Sequence, residues 1–463
     1  MDAADVERFA AGLSGRVVEP DDPDYDAVRS VHNGRVDKRP ALIACCQNTA
    51  DVADAVRFGR QHDMEISIRG GGHNVSGVAV TEGGLMIDLA PMKAVLVDPA
   101  ARRARCQPGV HWGEFNRETQ LHDLACTGGV VASTGVAGLT LGGGIGWLMG
   151  RFGLALDNLV SAEVVTASGD VVTASEASHP DLFWALRGGG GNFGIVTCFE
   201  FELHPQTPML LGGAIFHPIE DARDMLRFFR DYTSAGIPDE LVLTAGLQYH
   251  PDGSGVPVAL ILAAHTGSAA EAELAPLRAF GKPLEDAIGP ISYCDLNAML
   301  DAGLPRGARN YWRSSFMETL DDSAIDVIVD AFHAMPSNTS LLLLEHLHGA
   351  ISRVDPTATA FAHRFDGYNM LGLAQWSEPD DDARNIAWAR ETHGALTDFL
   401  SSGTYSNYLM DDEGDARVRA AYGVNFERLQ KIKADYDPDN VFHLNQNIPP
   451  AEAAEAVGKA KSP

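Results

Sequence analysis

The stretch that most constrains this chain is Glu65-Ile66-Ser67-Ile68-Arg69-Gly70-Gly71-Gly72-His73-Asn74-Val75-Ser76-Gly77. The alternation of Ile66 and Ile68 predicts a short strand that empties into three glycines and a histidine. Glycines without a Cβ let main-chain N–H groups converge on one point. That arrangement cradles a pyrophosphate, and Arg69 adds positive charge beside it. His73 then stands where a flat ring could lie. A tight turn with a surface histidine is the plain alternative for an isolated triplet, so the rest of the chain has to decide.

Two further glycine-dense stretches follow. From Cys126 to Trp147 the chain is rich in glycine but also carries Val130, Val131, Leu139, Leu141 and Trp147. Flexible linkers lack such apolar residues, so this is ordered backbone passing close to something large and flat. Gly189-Gly190-Gly191-Asn192-Phe193-Gly194 fits G-x-G-x-x-G, yet the context refuses a Rossmann reading. That fingerprint follows a strand and opens a helix. Here a helical pattern, Asp181-Leu182-Phe183-Trp184-Ala185-Leu186, precedes it and a strand-like Ile195-Val196-Thr197-Cys198-Phe199 follows.

The chain of 463 residues is too long for one ordinary core, and its 45% hydrophobic content can bury two or three. With 35 basic against 63 acidic side chains the formal charge is −28, which repels nucleic acid and anionic membranes, so neither is an expected partner. No stretch is apolar for long enough to span a bilayer, and the first residues form no leader, so a cytoplasmic protein is expected. The six cysteines, Cys45, Cys46, Cys106, Cys126, Cys198 and Cys294, show no C-x-x-C pairing and read as buried thiols.

In order, a strand at 41–44 leads to a helix capped by Asn48-Thr49, then to the glycine loop. Short strands at 85–87, 94–97 and 103–106, a helix over 110–121 and a hairpin turning at 167–170 complete a small α+β unit. Glycine clusters stop after His204-Pro205, which marks a domain boundary. Beyond it strands are expected at 209–215, 241–247, 256–264, 340–348 and 368–375, and helices over 219–232, 269–280, 323–334 and 381–400. They sum to an antiparallel sheet covered by helices. The tail from Tyr405 to Pro450 is too dense in aromatics and amides to be a mere terminus.

The loop Arg69-Gly70-Gly71-Gly72-His73-Asn74, the block Gly135 to Gly144, the run Gly188 to Gly194 and the tail motifs Tyr436-Asp437-Pro438-Asp439-Asn440 and Gln446-Asn447-Ile448 resemble the berberine bridge enzyme-like FAD-linked oxidases of the vanillyl-alcohol oxidase superfamily. The resemblance spans nearly the whole chain. It implies an α+β fold with a two-subdomain PCMH-type FAD-binding domain made of residues 1–205 and the C-terminal part 401–463. A substrate domain, 206–400, is inserted between them.

The resemblance also implies that His73 bonds covalently to the flavin 8α carbon. A linked imidazole withdraws electron density and makes the flavin more oxidising. Gly70, Gly71, Gly72, Asn74 and Gly77 would wrap the pyrophosphate. Gly135, Gly138, Gly142, Gly143, Asp157, Gly194 and Val196 would line the rest of the FAD, joined by Asn445 and Asn447 of the tail. Some members carry a second flavin link through cysteine. That position falls at Val131, five residues from Cys126, so no cysteine link is expected.

The implied reaction is hydride transfer from a substrate C–H next to oxygen or nitrogen to flavin N5, with a base removing the hydroxyl or amine proton and dioxygen reoxidising the flavin to give hydrogen peroxide. Candidates for the base are Tyr405, the first choice, with Tyr408, Glu345 and His348. A tyrosinate at 405 requires a cation nearby to lower its pKa. Strand parity sets Glu345 opposite to His346 and His348. With no third ligand in the pattern, a metal is not expected. Asn407, Tyr311, Trp312, Asn369 and Gln375 are possible pocket residues, with ordinary packing the alternative. Two other readings compete. One is a dehydrogenase using an acceptor other than oxygen; the other is a flavin-bearing protein that sequesters a toxic small molecule without turnover. The substrate itself and the oligomeric state leave no signature.

Overall fold

The computed structural model describes residues 2–452. In its first sheet Leu42–Cys45 lies parallel to Leu85–Asp88, which lies parallel to Ile66–Arg69, and Arg16–Val18 closes the far edge antiparallel. The helix Thr49–Gln61 makes the crossover, and the Asn48 side chain accepts the Asp51 N–H at 3.0 Å to satisfy its first turn. Val52 and Val56 of this helix share a core with Leu42, Ile66, Leu85 and Ile87. Leu42–Cys45 and Leu85–Asp88 are buried throughout, which is why they read as unbroken apolar runs.

A second, antiparallel sheet orders its strands as Val95–Asp98, Arg103–Cys106, Ile195–Glu202, Leu159–Val165 and Val171–Ser175. The run Gly189–Gly194 makes the turn from the helix Pro180–Leu186 into the strand Ile195–Glu202, the reverse of the dinucleotide fingerprint's order.

The third sheet has eight strands, all antiparallel, contributed by residues 209–376. Helices Ala222–Ser234, Ala270–Ala279, Asp322–His333 and Asp382–Ala395 accompany it. Sequence reading missed the strand Arg309–Met317, which pairs along its whole length with Gly367–Trp376. Its Arg-Asn-Tyr-Trp-Arg-Ser-Ser-Phe-Met has no clean alternation because both faces are covered and seven of its nine residues are buried. The short edge strands Glu285–Asp286 and Gly289–Ser292 were missed too, being too brief for a pattern.

The tail returns to the first half of the chain. From the helix Phe426–Tyr436, Lys433 Nζ donates to the Asn192 carbonyl at 2.7 Å and the Phe442 carbonyl at 3.0 Å, and pairs with Asp437 at 2.6 Å. Both side chains are 0% exposed. Asp437 in turn accepts the Val441 and Phe442 N–H groups. Asn192 completes the staple, donating to the Gln446 carbonyl and accepting from Ile448 N–H. Removing one partner of such a buried pair strands a charge, so Lys433→Met is expected to cost about 3–5 kcal/mol. Chemical denaturation of the variant would read that loss, and an unchanged midpoint would dismiss the staple. Among the described residues no helix is long and apolar enough to cross a membrane.

Candidate active site

The three sheets and the tail enclose one elongated cavity of about 620 Å³. One half is backbone. Gly70–Asn74, seven residues from Val130 to Leu139, and Gly190, Gly191, Gly194, Val196, Asn445 and Gln446 line it. Two glycines explain how the walls come together. A Cβ on Gly71 would lie 2.5 Å from the Gly135 Cα, so the two loops touch backbone to backbone. At Gly72 φ is +68°, a left-handed turn that points the chain into His73. A methyl group at Gly71 has nowhere to go, so Gly71→Ala is expected to lose bound cofactor, which the absorbance of the purified protein would show.

No Lys, Arg or Asp lines this cavity among the described residues. Arg69, expected beside the pyrophosphate, is occupied elsewhere. Its guanidinium pairs with buried Asp88 at 2.7 Å and donates to the Ser30 carbonyl at 3.0 Å, bracing the loop from behind. An anion here would therefore be held by main-chain N–H groups and neutral side-chain donors such as Asn74 and Thr134. Asp157 is likewise away from the cavity. It caps its own turn through Leu154 N–H and pairs with Arg364 at 2.7 Å. Gly77 sits in a turn against Val36. Gly142 and Gly143 stand behind the wall, where a Cβ would strike Asn407 and Tyr405. Asn445 reaches the cavity and donates to the Gly191 carbonyl at 3.0 Å, whereas Asn447 does not line it.

His73 faces the cavity with Nε2 3.3 Å from Ser133 Oγ, and its ring stacks on His32 at 3.8 Å. Burial, then the neighbouring His32 and His111, pull its pKa down to about 3 and keep the imidazole neutral. Nothing in the sequence singled out His32. Val131 lines the cavity; Cys126 does not. The Cys126 carbonyl accepts from Tyr293 Oη, and burial pushes its thiol pKa up.

The other half is one face of the eight-stranded sheet. Along Leu341–Leu347, the alternate residues Leu341, Leu343 and Glu345 point to it. Cross-strand register sets Asn369 and Thr244 on either side of Glu345. Glu345, 4% exposed, accepts from Asn369 Nδ2 at 2.7 Å and from Tyr408 Oη at 3.2 Å. Burial pushes its pKa up to about 7, against the pull of those two hydrogen bonds. Tyr405 Oη accepts from Gly144 N–H at 2.8 Å and Asn407 Nδ2 at 2.9 Å, and burial drives its pKa up to about 12. Among the described residues no Lys or Arg stands on the wall to supply the cation that a tyrosinate requires. Burial also raises the Tyr408 pKa well above the ordinary value.

His348 lies on the far side of the sheet from Glu345. It stacks on His346 at 4.8 Å with Nε2 2.9 Å from the Leu241 carbonyl, and burial lowers its pKa to about 4. It therefore does not join the site. Trp312 and Asn407 line the cavity; Tyr311 instead donates to Asp412, and Gln375 to the Gly303 carbonyl. Sequence reasoning also missed the segment Met299–Leu304, which forms the wall facing the sheet and carries no periodic signal.

Residues 40–175 match the family model described as FAD binding domain, and residues 404–449 the one described as berberine and berberine like. The (R)-6-hydroxynicotine oxidase of Paenarthrobacter nicotinovorans is 33% identical over 455 residues, covering 95% of this chain and 97% of its own. This chain is an FAD-linked oxidoreductase of the berberine bridge enzyme-like family. An FAD-linked oxidoreductase of Dictyostelium discoideum is 30% identical across 96% of this oxidoreductase and 97% of its own length. The crystal structure of 6-hydroxy-D-nicotine oxidase from Arthrobacter nicotinovorans superimposes with a TM-score of 0.87 at 31% identity, covering 94% of this chain and 98% of that one. An Acremonium strictum glucooligosaccharide oxidase, described as holding a 6-S-cysteinyl, 8α-N1-histidyl FAD, gives 0.87 at 26% identity and 96% and 99% coverage.

The residues present fit FAD. Gly138 lines the oxidoreductase's cavity, and a Cβ there would meet no protein atom within 4 Å beyond its own helix backbone and chain neighbours, only open cavity with room for a cofactor. Main-chain walls meet the pyrophosphate's need, and the apolar Ile68, Leu89, Ile195 and Val196 offer a dry bed for rings.

Proposed function

We propose that this oxidoreductase removes hydrogen from a substrate carbon next to a hydroxyl or amine, that FAD is joined covalently to His73, and that dioxygen is the final acceptor. The observation that carries the reading is Glu345, the one carboxyl group on the cavity wall among the described residues, buried and poised near neutrality. FAD, when bound, supplies the two-electron acceptor. The chain's own residues handle the proton. Glu345 takes the hydroxyl or amine proton, while Asn369 and Tyr408 orient its two oxygens and stabilise the carboxylate. Tyr405, the first choice from sequence, gives way as base. Its pKa is far from neutral, and its oxygen already accepts two hydrogen bonds that fix Asn407 and the Gly144 backbone.

His73 suits the covalent role because it is neutral, faces the glycine-lined half and is held in place by His32 and Ser133. A broad panel of alcohols and amines added without oxygen tests the reaction, since a substrate bleaches the flavin. Admitting oxygen should restore the colour with one hydrogen peroxide per turnover. Bleaching that persists under oxygen would favour a dehydrogenase, and a panel that never bleaches would favour sequestration.

A further inference from the structure

The catalytic half of the cavity is largely apolar, with Gln248, Ser406 and Asn407 its neutral polar side chains beside Glu345 and the tyrosines. Leu260, Leu262, Leu341, Leu343, Leu371 and Leu373 pave the sheet side, and Met299, Leu300 and Leu304 line the cavity from outside the sheet. A carbohydrate brought here would exchange the water around many hydroxyls for leucine, at a cost of roughly 1–3 kcal/mol for each polar group left unpaired. A carboxylate or phosphate fares worse, because it would meet Glu345 and no Lys or Arg among the described residues.

A cation finds the reverse. Glu345 stands beside three aromatic rings. Tyr408 packs edge-on against Trp312 at 5.3 Å and against Tyr405 at 4.9 Å, with interplanar angles of 80° in both pairs. All three rings and the carboxylate border the same space. Ring faces attract ammonium ions, and an ion pair offsets part of what a buried carboxylate lost in leaving water. The chain's formal charge of −28 draws cations toward the protein at long range.

We propose that the substrate is a hydrophobic amine that arrives as an ammonium ion, its nitrogen set against Glu345 among Trp312, Tyr405 and Tyr408, and that carbohydrates and organic acids are refused. This rests on the oxidase reading above. The balance is simple. The ammonium passes one N–H proton to the Glu345 carboxylate. The α C–H bond of the neutral amine then breaks, its hydrogen and electron pair going to FAD as oxidant, and a C=N iminium remains. Water hydrolyses that product to a carbonyl compound and a smaller amine.

Two measurements on the holoenzyme at pH 8 test this. The first titrates benzyltrimethylammonium and its neutral carbon isostere neopentylbenzene, read by tryptophan fluorescence and flavin absorbance. The cation is expected to bind about tenfold or more tightly than the isostere, and the preference to fall to near parity in Glu345→Gln. Equal binding in the unaltered protein overturns the proposal whether or not the variant folds. The second compares N-methylbenzylamine, benzyl alcohol and cellobiose in anaerobic bleaching. Bleaching by the amine alone supports the proposal. Bleaching by the alcohol or the sugar but not the amine sinks the substrate class and leaves the oxidase reading standing. A cation preference that depends on Glu345 but comes without bleaching sinks the oxidase reading instead.

Discussion

Glu345→Gln is expected to slow anaerobic flavin reduction by about 10²–10⁴-fold without releasing the flavin. Glutamine keeps the shape and can still accept from Asn369, so the loss measured at saturating substrate isolates proton acceptance from positioning and binding. In the unaltered protein the rate should rise with pH through about 7 as the carboxyl ionises, and that limb should vanish in the variant. Stability moves the other way. The folded-state pKa of Glu345 is raised, so the folded protein binds a proton that the unfolded chain releases, and stability falls as pH climbs from about 4.5 to about 7. Glu345→Gln removes that cost. It should match the parent in a melt at pH 4 and exceed it by roughly 3 kcal/mol at pH 8. Reduction at the parent's rate would return the base to Tyr405 or Tyr408.

His73→Ala is expected to convert a flavin that stays with the acid-precipitated pellet into one that leaves with the supernatant. Covalent attachment is the one arrangement that survives denaturation, so colour in the pellet of the parent establishes the link and its transfer to the supernatant assigns it. The neutral, nucleophilic imidazole on the cavity wall is the ground for expecting this. A variant that binds FAD without the bond should also hold a less oxidising flavin and reduce it more slowly, because the electron-withdrawing ring is gone. Colour retained in the variant's pellet would move the link to another residue. Colour in the supernatant of the parent would show FAD held by backbone alone.

Much of this was legible before any coordinates. Glycine runs flanked by valine and leucine announced ordered backbone around a flat ligand, and the order helix, glycines, strand at 181–201 ruled out the nucleotide fold that the spacing imitates. Parity placed Glu345 and His348 on opposite faces. Arg69, expected to bring charge to the pyrophosphate, and Asp157, implied by the resemblance to line the FAD, are both occupied elsewhere, because a sequence shows that a side chain is charged but not that Asp88 or Arg364 already pairs with it. Gly142 and Gly143 were read as cofactor contacts for a similar reason. Their missing Cβ atoms make room for Asn407 and Tyr405, residues some 260 positions away in the chain, as the Gly144–Tyr405 bond's separation of 261 shows.

The sequence by itself determined the α+β class, which local patterns of glycine, capping residues and alternating strands carry, while the family and its FAD came from the resemblance of the glycine and tail motifs. What the tertiary structure decided was the surroundings of each ionisable group, on which the proposed choice of Glu345 as base rests. As letters, Tyr405 ranks ahead of Glu345. Their pKa values part only when the sheet register sets a carboxylate between Asn369 and Thr244 on a leucine-lined face, and the tail folds back to lay Tyr408 against it. Proton affinity is a property of desolvation and neighbours, and both are assembled from residues far apart in sequence.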